Sequence, residues 1–229
     1  STRLGLAGAP AEAEVMMVER DLRLLALTGG RYHVAHVSTA ATVDVIRRAK
    51  RDGLNVTCDT APHYFALNEN AIGDYRTFAK VNPPLRKERD RQAIADALAE
   101  GVIDAIASDH SPFDQDSKRL PFAQATFGMI GLETLLPLTL ELYHNRIMSL
   151  LDALRLVTIN PAQLLRQPTG KLAVGAPGDL VLFDPDKPSR VDVDSFHSKS
   201  KNSPYDERPI QGKVRRTVVE GRAIFVDDA

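Results

Sequence analysis

The sequence predicts an α/β fold built on a parallel sheet, passing after Gly170 into a small β segment. Three observations predict it. Short β-favouring runs alternate with amphipathic helical stretches through the first half of the chain, joined by turns that glycines mark. Three of those runs end on residues suited to chemistry, at His36, at Asp59 to His63 and at Ser108-Asp109-His110. Beyond Gly170 the helical period gives way to short segments punctuated by Gly, Pro and Asp.

The elements follow in order. "APAEAEVMMVERDLRLLALTGG" is a helix, with Pro10 in the first turn, Glu12 and Glu14 at the positive end of the dipole, and Gly29-Gly30 as the stop. Val15, Val18, Leu22, Leu25 and Ala26 recur at helical spacing and form its expected buried stripe. "RYHVAHVST" gives a first short buried strand. A second helix runs from about Ala40 to Arg51 and Gly53 ends it, and "LNVTCDTAP" is a second strand that stops at Pro62. A loop with a helical turn covers Asn68 to Tyr75, and Pro83 and Pro84 force "KVNPPLR" to be extended. "KERDRQAIADALAEG" is a third helix and "VIDAIAS" a third strand. A polar loop then runs to about Gly128, followed by two helices in "GLETLLPLTLELYHNR" and "SLLDALRLVTINPAQLL". "GKLAVGAPGDLVLFDPDKP" and "GKVRRTVVEGRAIFVDD" supply the closing β segments.

The totals exclude several classes. Twenty-nine basic and 30 acidic residues give a net charge of −1, so no broad basic field exists for nucleic acid. No basic amphipathic segment suggests a membrane surface, and no apolar run approaches the roughly 20 residues of a spanning helix. The single cysteine, Cys58, rules out an intramolecular disulfide and fits a reducing, cytoplasmic setting.

In parallel α/β folds, ligands and catalytic groups gather at the C-terminal ends of the strands. The three strand ends, His36 to Thr39, Asp59 to His63 and Ser108 to His110, are therefore the places where such groups are expected, with Asn82 on a rigid Pro-flanked segment. Imidazole and carboxylate together suit a divalent metal such as Zn²⁺. An Asp beside a metal can take a proton from attacking water and return it to a leaving nitrogen. Each residue also has a plainer reading. A lone His on a strand, such as His36, is often structural, and His63 before an aromatic can simply pack. His33 lies at odd spacing from His36, so strand alternation turns it away from the site, to packing or surface. Asp109 could cap a helix, but Pro112 and the polar loop argue against a helix starting there. His144, at a helix end, and His197, in a polar loop, read as solvated. The residues by themselves lead to an α/β enzyme, with metal dependence left open.

A resemblance goes further. "YHVAHVSTAATVDVIRRAK", "APHYFALNE", "FAKVNPPLR", "DAIASDHSP", "FGMIGLETLLPL", "NPAQLL" and "GKLAVGAPGDLVLFD" resemble consecutive segments of the dihydroorotase family, in its order and spacing. "SKSKNSPYDERPIQGKVRRTVVEGRAIF" resembles that family's closing β segment. The resemblance covers nearly the whole chain and sits within the cyclic amidohydrolases, which include hydantoinases and allantoinases. It implies a (β/α)8 TIM-type barrel with a small β domain, here divided as residues 1–169 and 170–229. It implies reversible hydrolysis of L-dihydroorotate to N-carbamoyl-L-aspartate in pyrimidine biosynthesis, with one or two zinc ions. It assigns His36 as a zinc ligand, Asp109 as a zinc ligand and general acid/base, Asn82 as a contact to the pyrimidine ring, and Phe127 and Gly128 as a backbone lining of the substrate site. It gives His63 no assured role. The partners it implies are the small-molecule substrate, a homodimer, or a complex with aspartate transcarbamoylase.

Two departures from the family stand out. The leading His-x-His zinc motif with the Arg after it, the bridging acid and the other His ligand are absent, and are expected on earlier strands. Three strands of the expected eight cannot close a barrel, so the chain, which starts at Ser1 without a Met, is expected to be the C-terminal portion of a longer protein, inactive by itself. Phe113 stands where the family usually has a His that binds the substrate carboxylate. Losing such a charge-assisted contact costs roughly 1.5–3 kcal/mol. Hydantoinase-like members tolerate an apolar residue near this point. Two other expectations therefore stand beside dihydroorotase: a hydantoinase or allantoinase, and a non-catalytic dihydroorotase-like subunit that scaffolds aspartate transcarbamoylase.

Overall fold

The computed structural model describes residues 1–227; the last two residues of the closing β segment, 228 and 229, lie outside the described residues. The chain forms two compact units, Ser1–Glu133 with Val193–Pro204, and Thr134–Asp192 with Tyr205 onward.

The first unit carries a parallel sheet of three strands, β1 (Tyr32–Val34), β2 (Val56–Thr60) and β3 (Ala105–Ile106), with β2 in the centre. The flanking strands are only three and two residues long, shorter than the apolar runs in the sequence. Val34, Val56, Cys58, Ala105 and Ile106 are buried in this sheet. The helices α1 (Ala11–Thr28), α2 (Ala40–Arg51) and α4 (Glu88–Ala99) pack beside it, each close to its expected limits. Gly29 ends α1 in the left-handed conformation, φ 65°, and its N–H caps Leu25 O at 2.9 Å. Val18, Leu22 and Leu25 are the buried positions of α1; Ala26, expected in the same stripe, is exposed. Ile46 and Ile94, from α2 and α4, are fully buried.

Two short helices fall where the sequence suggests none. α3 (Pro62–Ala66) begins directly beyond β2, with Pro62 in the first helical turn. α5 (Gln115–Arg119) interrupts the expected polar loop, and Asp114 caps it by accepting a hydrogen bond from Ser117 N at 2.8 Å.

In the second unit, α6 (Leu135–His144) is followed by α7 (Leu150–Arg155) and α8 (Ile159–Leu164), two helices where the sequence suggests one. Pro161 lies in the first turn of α8, a position proline tolerates and a continuous helix would not. An antiparallel sheet follows, ordered β4 (Leu180–Arg190), β5 (Pro209–Val219), β6 (Arg222–Val226). At Gly212, φ 106°, a Cβ would lie 2.4 Å from Leu140 Cδ1, so β5 meets α6 at a position only glycine allows. Arg208 and Glu141 add an ion pair at 2.9 Å. His144 is not solvated as its helix-end position suggests: its side chain is 16% exposed and Nε2 lies 3.6 Å from Asp186. No helix among the described residues is long and apolar enough to cross a membrane.

Candidate active site

The C-terminal ends of β1, β2 and β3 bring four side chains together, His36, Asp59, His63 and Asp109. His36 lies two residues past β1 and Asp109 three residues past β3. Both adopt left-handed backbone, φ 58° and 44°, a conformation uncommon for non-glycine residues and concentrated at functional sites.

Asp59 organises one side of the cluster. Its Oδ1 accepts the His36 backbone N–H at 2.7 Å and stands 3.1 Å from His36 Nδ1, while Oδ2 lies 2.9 Å from His33 Nε2. His33 is thus part of the site's support, against its expected placement on the opposite side. The left-handed turn at His36 breaks strand alternation after Val34 and lets both imidazoles reach one carboxylate. Burial pushes the Asp59 carboxyl up, but His33 and His36 outweigh it and hold the group well below the usual carboxylate range. The Asp59 carboxylate in turn raises His36 above the ordinary imidazole value against the opposing effect of burial.

Asp109 holds the other side. Its Oδ1 is 3.6 Å from His36 Nε2 and its Oδ2 is 3.5 Å from His63 Nε2. These separations exceed the 2.7–3.2 Å of a hydrogen bond. Burial raises the Asp109 carboxyl, the nearby His36 partly offsets this, and Asp59 adds to it. The His63 side chain is 2% exposed, and its Nε2 has no hydrogen-bond partner. Burial, with the charge of His36 nearby, pushes the imidazole down to about 3, so its ring nitrogen keeps a free lone pair at neutral pH. The sequence leaves His63 without a role, although its position just past Pro62 at the end of a strand is the signal that could have placed it. Among the described residues, no three His, Cys, Asp or Glu side chains close a metal site by themselves.

The loop from His36 to Thr39 is held from α1. Glu14 accepts hydrogen bonds from Ser38 N (3.1 Å), Thr39 N (3.2 Å), Thr39 Oγ1 and Ser38 Oγ. Arg86, the last residue of "NPPLR", donates to Ser38 Oγ at 3.1 Å. Glu14 therefore does more than complement the dipole of its own helix: it satisfies N–H groups at the start of α2. Asn82 is exposed at the head of the Pro-flanked segment, and Tyr64 Oη, next to His63, donates to Pro83 O at 2.7 Å.

Phe127 and Gly128 lie on the loop after α5. The Phe127 side chain is 53% exposed, with Lys80 Nζ 4.6 Å from the ring centre. Gly128, φ 121°, packs so closely that a Cβ would fall 2.6 Å from Ser111 Cβ and 2.8 Å from Phe113 Cε2. The Phe113 ring therefore lies against Gly128. His110 is structural: its Nδ1 accepts the Gly131 and Leu132 N–H groups at 3.1 and 3.4 Å.

Residues 7–224 match the model of the amidohydrolase family. The dihydroorotase of Anaplasma phagocytophilum is 50% identical over 226 residues, which is 98% of this chain and 51% of that protein. The dihydroorotase of Wolbachia sp. subsp. Drosophila simulans is 46% identical over the same shares. The chain spans about half the length of the curated relatives it matches. Among solved structures, dihydropyrimidinase from Brevibacillus agri superposes with a TM-score of 0.89 at 27% identity, over 95% of this chain and 49% of that one. L-Hydantoinase from Arthrobacter aurescens gives 0.84 at 31% identity, over 90% and 47%.

Proposed function

The chain belongs to the amidohydrolase family, and from that membership we propose that it is the C-terminal part of a (β/α)8 barrel with its small β domain, and that the whole protein is a zinc-dependent dihydroorotase of the cytoplasm. The likeness to two dihydroorotases over 98% of the chain supports the substrate class. The observation that carries the chemistry is the placement of His36 Nε2 and His63 Nε2 on opposite oxygens of Asp109.

The donors present fit zinc. Imidazole and carboxylate are donor types that zinc takes, and the separations of 3.6 and 3.5 Å at Asp109 are too long for direct hydrogen bonds, so these donors do not already satisfy one another. The buried Nε2 of His63, without a partner, supplies a neutral imidazole lone pair. His36, His63 and Asp109 are the residues we assign to the metal's ligand set, a set that the described residues alone do not complete. When bound, zinc polarises a carbonyl and makes water acidic enough to attack at neutral pH.

The chain's own residues then divide the work. Asp109, with its carboxyl raised by burial, is suited to accept a proton and to release it again. In ring opening it takes a proton as water oxygen bonds to the ring carbonyl carbon. The carbon–nitrogen bond breaks, and Asp109 delivers the proton to the departing nitrogen. Ring closure of N-carbamoyl-L-aspartate runs the same transfers in reverse. Asp59 accepts the His36 backbone N–H and stands 3.1 Å from Nδ1, so a carboxylate backs the ring on the side away from Asp109, where carboxylates stand behind metal-binding histidines. Asn82, Phe127 and Gly128 are assigned to the substrate.

Phe113 favours a second reading. Its apolar ring lies against Gly128, where a carboxylate-binding group would be expected for dihydroorotate. A hydantoinase-type substrate without that carboxylate suits this surface, and so does a non-catalytic subunit that binds aspartate transcarbamoylase. The test is turnover by the full-length gene product of dihydroorotate and of hydantoin, beside its Asp109→Asn variant. Dihydroorotate turnover that disappears in D109N is the expected result. Ring opening that survives in D109N would exclude the assigned role, faster turnover of hydantoin would establish the second reading, and transcarbamoylase binding without turnover would establish the scaffold.

A further inference from the structure

Two lysines outside the His–Asp cluster have an unusual setting. Lys118 is fully buried, and its ammonium donates to Thr126 O at 2.8 Å and Gly128 O at 2.9 Å. Lys80 is also buried, and its ammonium donates to Phe122 O at 2.6 Å, Ala123 O at 3.2 Å and Ala125 O at 2.6 Å. Among the described residues neither forms an ion pair with a carboxylate. Burying an ammonium against carbonyls alone is costly. Burial, with Lys80 nearby, pushes Lys118 down to about 8. Five carbonyls in one short segment, residues 122–128, converge on these two cations, in a stretch where no helix or strand satisfies the backbone.

The grip has a direction. In a trans peptide the C=O and the next N–H point opposite ways. Lys118 takes Thr126 O inward, so the Phe127 N–H faces away from it. Gly128 N donates to Lys80 O at 2.8 Å, so the Phe127 C=O faces away from that contact. The polar groups of Gly128 are already used, its N–H by Lys80 O and its C=O by Lys118 and by Asn202 Nδ2 at 3.3 Å. Among the described residues the N–H and C=O of Phe127 have no hydrogen-bond partner.

We propose that Lys118 and Lys80 are positioning residues for substrate recognition, holding the peptides on either side of Phe127 so that its N–H and C=O stand open as a donor–acceptor pair for the amide edge of a ring. This rests on the reading that the loop of Phe127 and Gly128 lines the substrate site, and it narrows that reading: Phe127, and not Gly128, supplies the free backbone groups. A cyclic amide offers one N–H beside one C=O, the complement of what Phe127 presents. Lys118 acts through Thr126 and Gly128 and touches no substrate itself.

The test compares Lys118→Met and Lys118→Gln with the wild type in the full-length gene product, by steady-state kinetics on dihydroorotate, zinc content and amide exchange over residues 121–128. K118M is expected to raise KM at least tenfold with kcat within threefold, unchanged zinc content and faster exchange in the loop. K118Q, whose amide still donates to carbonyls, is expected to fall between K118M and wild type. Lys50→Met, which removes an ion pair to Asp104 at 2.6 Å, controls for stability loss and is expected to leave KM unchanged. A KM within twofold of wild type in both Lys118 variants overturns the proposal. If K118M does not fold, K118Q decides alone. If the wild type turns over no cyclic amide, the functional reading fails, and loop exchange unchanged in the Lys118 variants overturns the positioning role.

Discussion

His33 Nε2 and Asp59 Oδ2 lie 2.9 Å apart, on a carboxylate whose other oxygen holds the backbone N–H of His36. One acid thereby joins a half-exposed histidine to one at the centre of the cluster. This carboxylate stays ionised far into the acid range, because His33 and His36 outweigh the effect of burial.

That difference fixes a pH dependence. The unfolded chain protonates Asp59 near the ordinary carboxylate value, about 3.9, and the folded chain only at lower pH. Between the two the unfolded state binds more protons, so stability rises with pH across that window. The contribution is complete above the unfolded value and is lost as pH falls toward the folded one. In urea unfolding of the full-length gene product, Asp59→Asn is expected to be less stable than wild type at pH 7, with the gap closing as pH drops below about 4. An equal gap at pH 7 and pH 3 would count against this carboxylate as its source.

His63 gives a second prediction. Its imidazole is already neutral at pH 7, so binding a cation displaces no proton from it. His63→Ala is expected to weaken zinc binding by the full-length gene product at least tenfold, measured by competition with a chelator, as loss of a metal-site residue does. Unchanged zinc affinity would remove His63 from the site.

The close approach at Gly131 gives a third. A Cβ there would stand 2.2 Å from the carbonyl oxygen of Ser108, directly before Asp109. Backbone must move, so Gly131→Ala is expected to destabilise by about 3 kcal/mol or more. Gly29→Ala meets open space and only the left-handed φ of 65° opposes it, so it is expected to cost about 1 kcal/mol. Denaturant midpoints of the two variants test the ranking, and equal values would contradict it.

The sequence carried the alternation of strand and helix because period and glycine punctuation are local signals. α2 starts and stops at Ala40 and Arg51, as its pattern predicts. His36 and Asp109 were legible as residues at strand ends, and the structure brings their side chains together. What stayed hidden depends on backbone that leaves its regular path. Alternation sends His33 away from His36, but the chain turns left-handed at His36 and defeats the count. The α3 helix that carries His63 is five residues long, too short for a helical period to show. The same brevity hid α5, whose signal is the capping Asp114 alone. Glu14 reads as a first-turn acid in its own helix, and its bonds to Ser38 and Thr39 are 24 and 25 residues away along the chain. The lysines that grip the loop at Phe127 look like ordinary surface charges, because Lys118 has Asp114 four residues before it, the spacing of an exposed helical ion pair, and Lys80 stands at the head of an extended, Pro-flanked run.

The left-handed backbone at His36 and Asp109 sets robustness against activity. Glycine relieves such a conformation, and asparagine tolerates it better than most residues. A population of variants enriched only for yield or heat resistance would drift toward those two residues at both positions, and each step would make a sturdier protein with less to do. Breeding this scaffold for durability therefore calls for scoring turnover at every round.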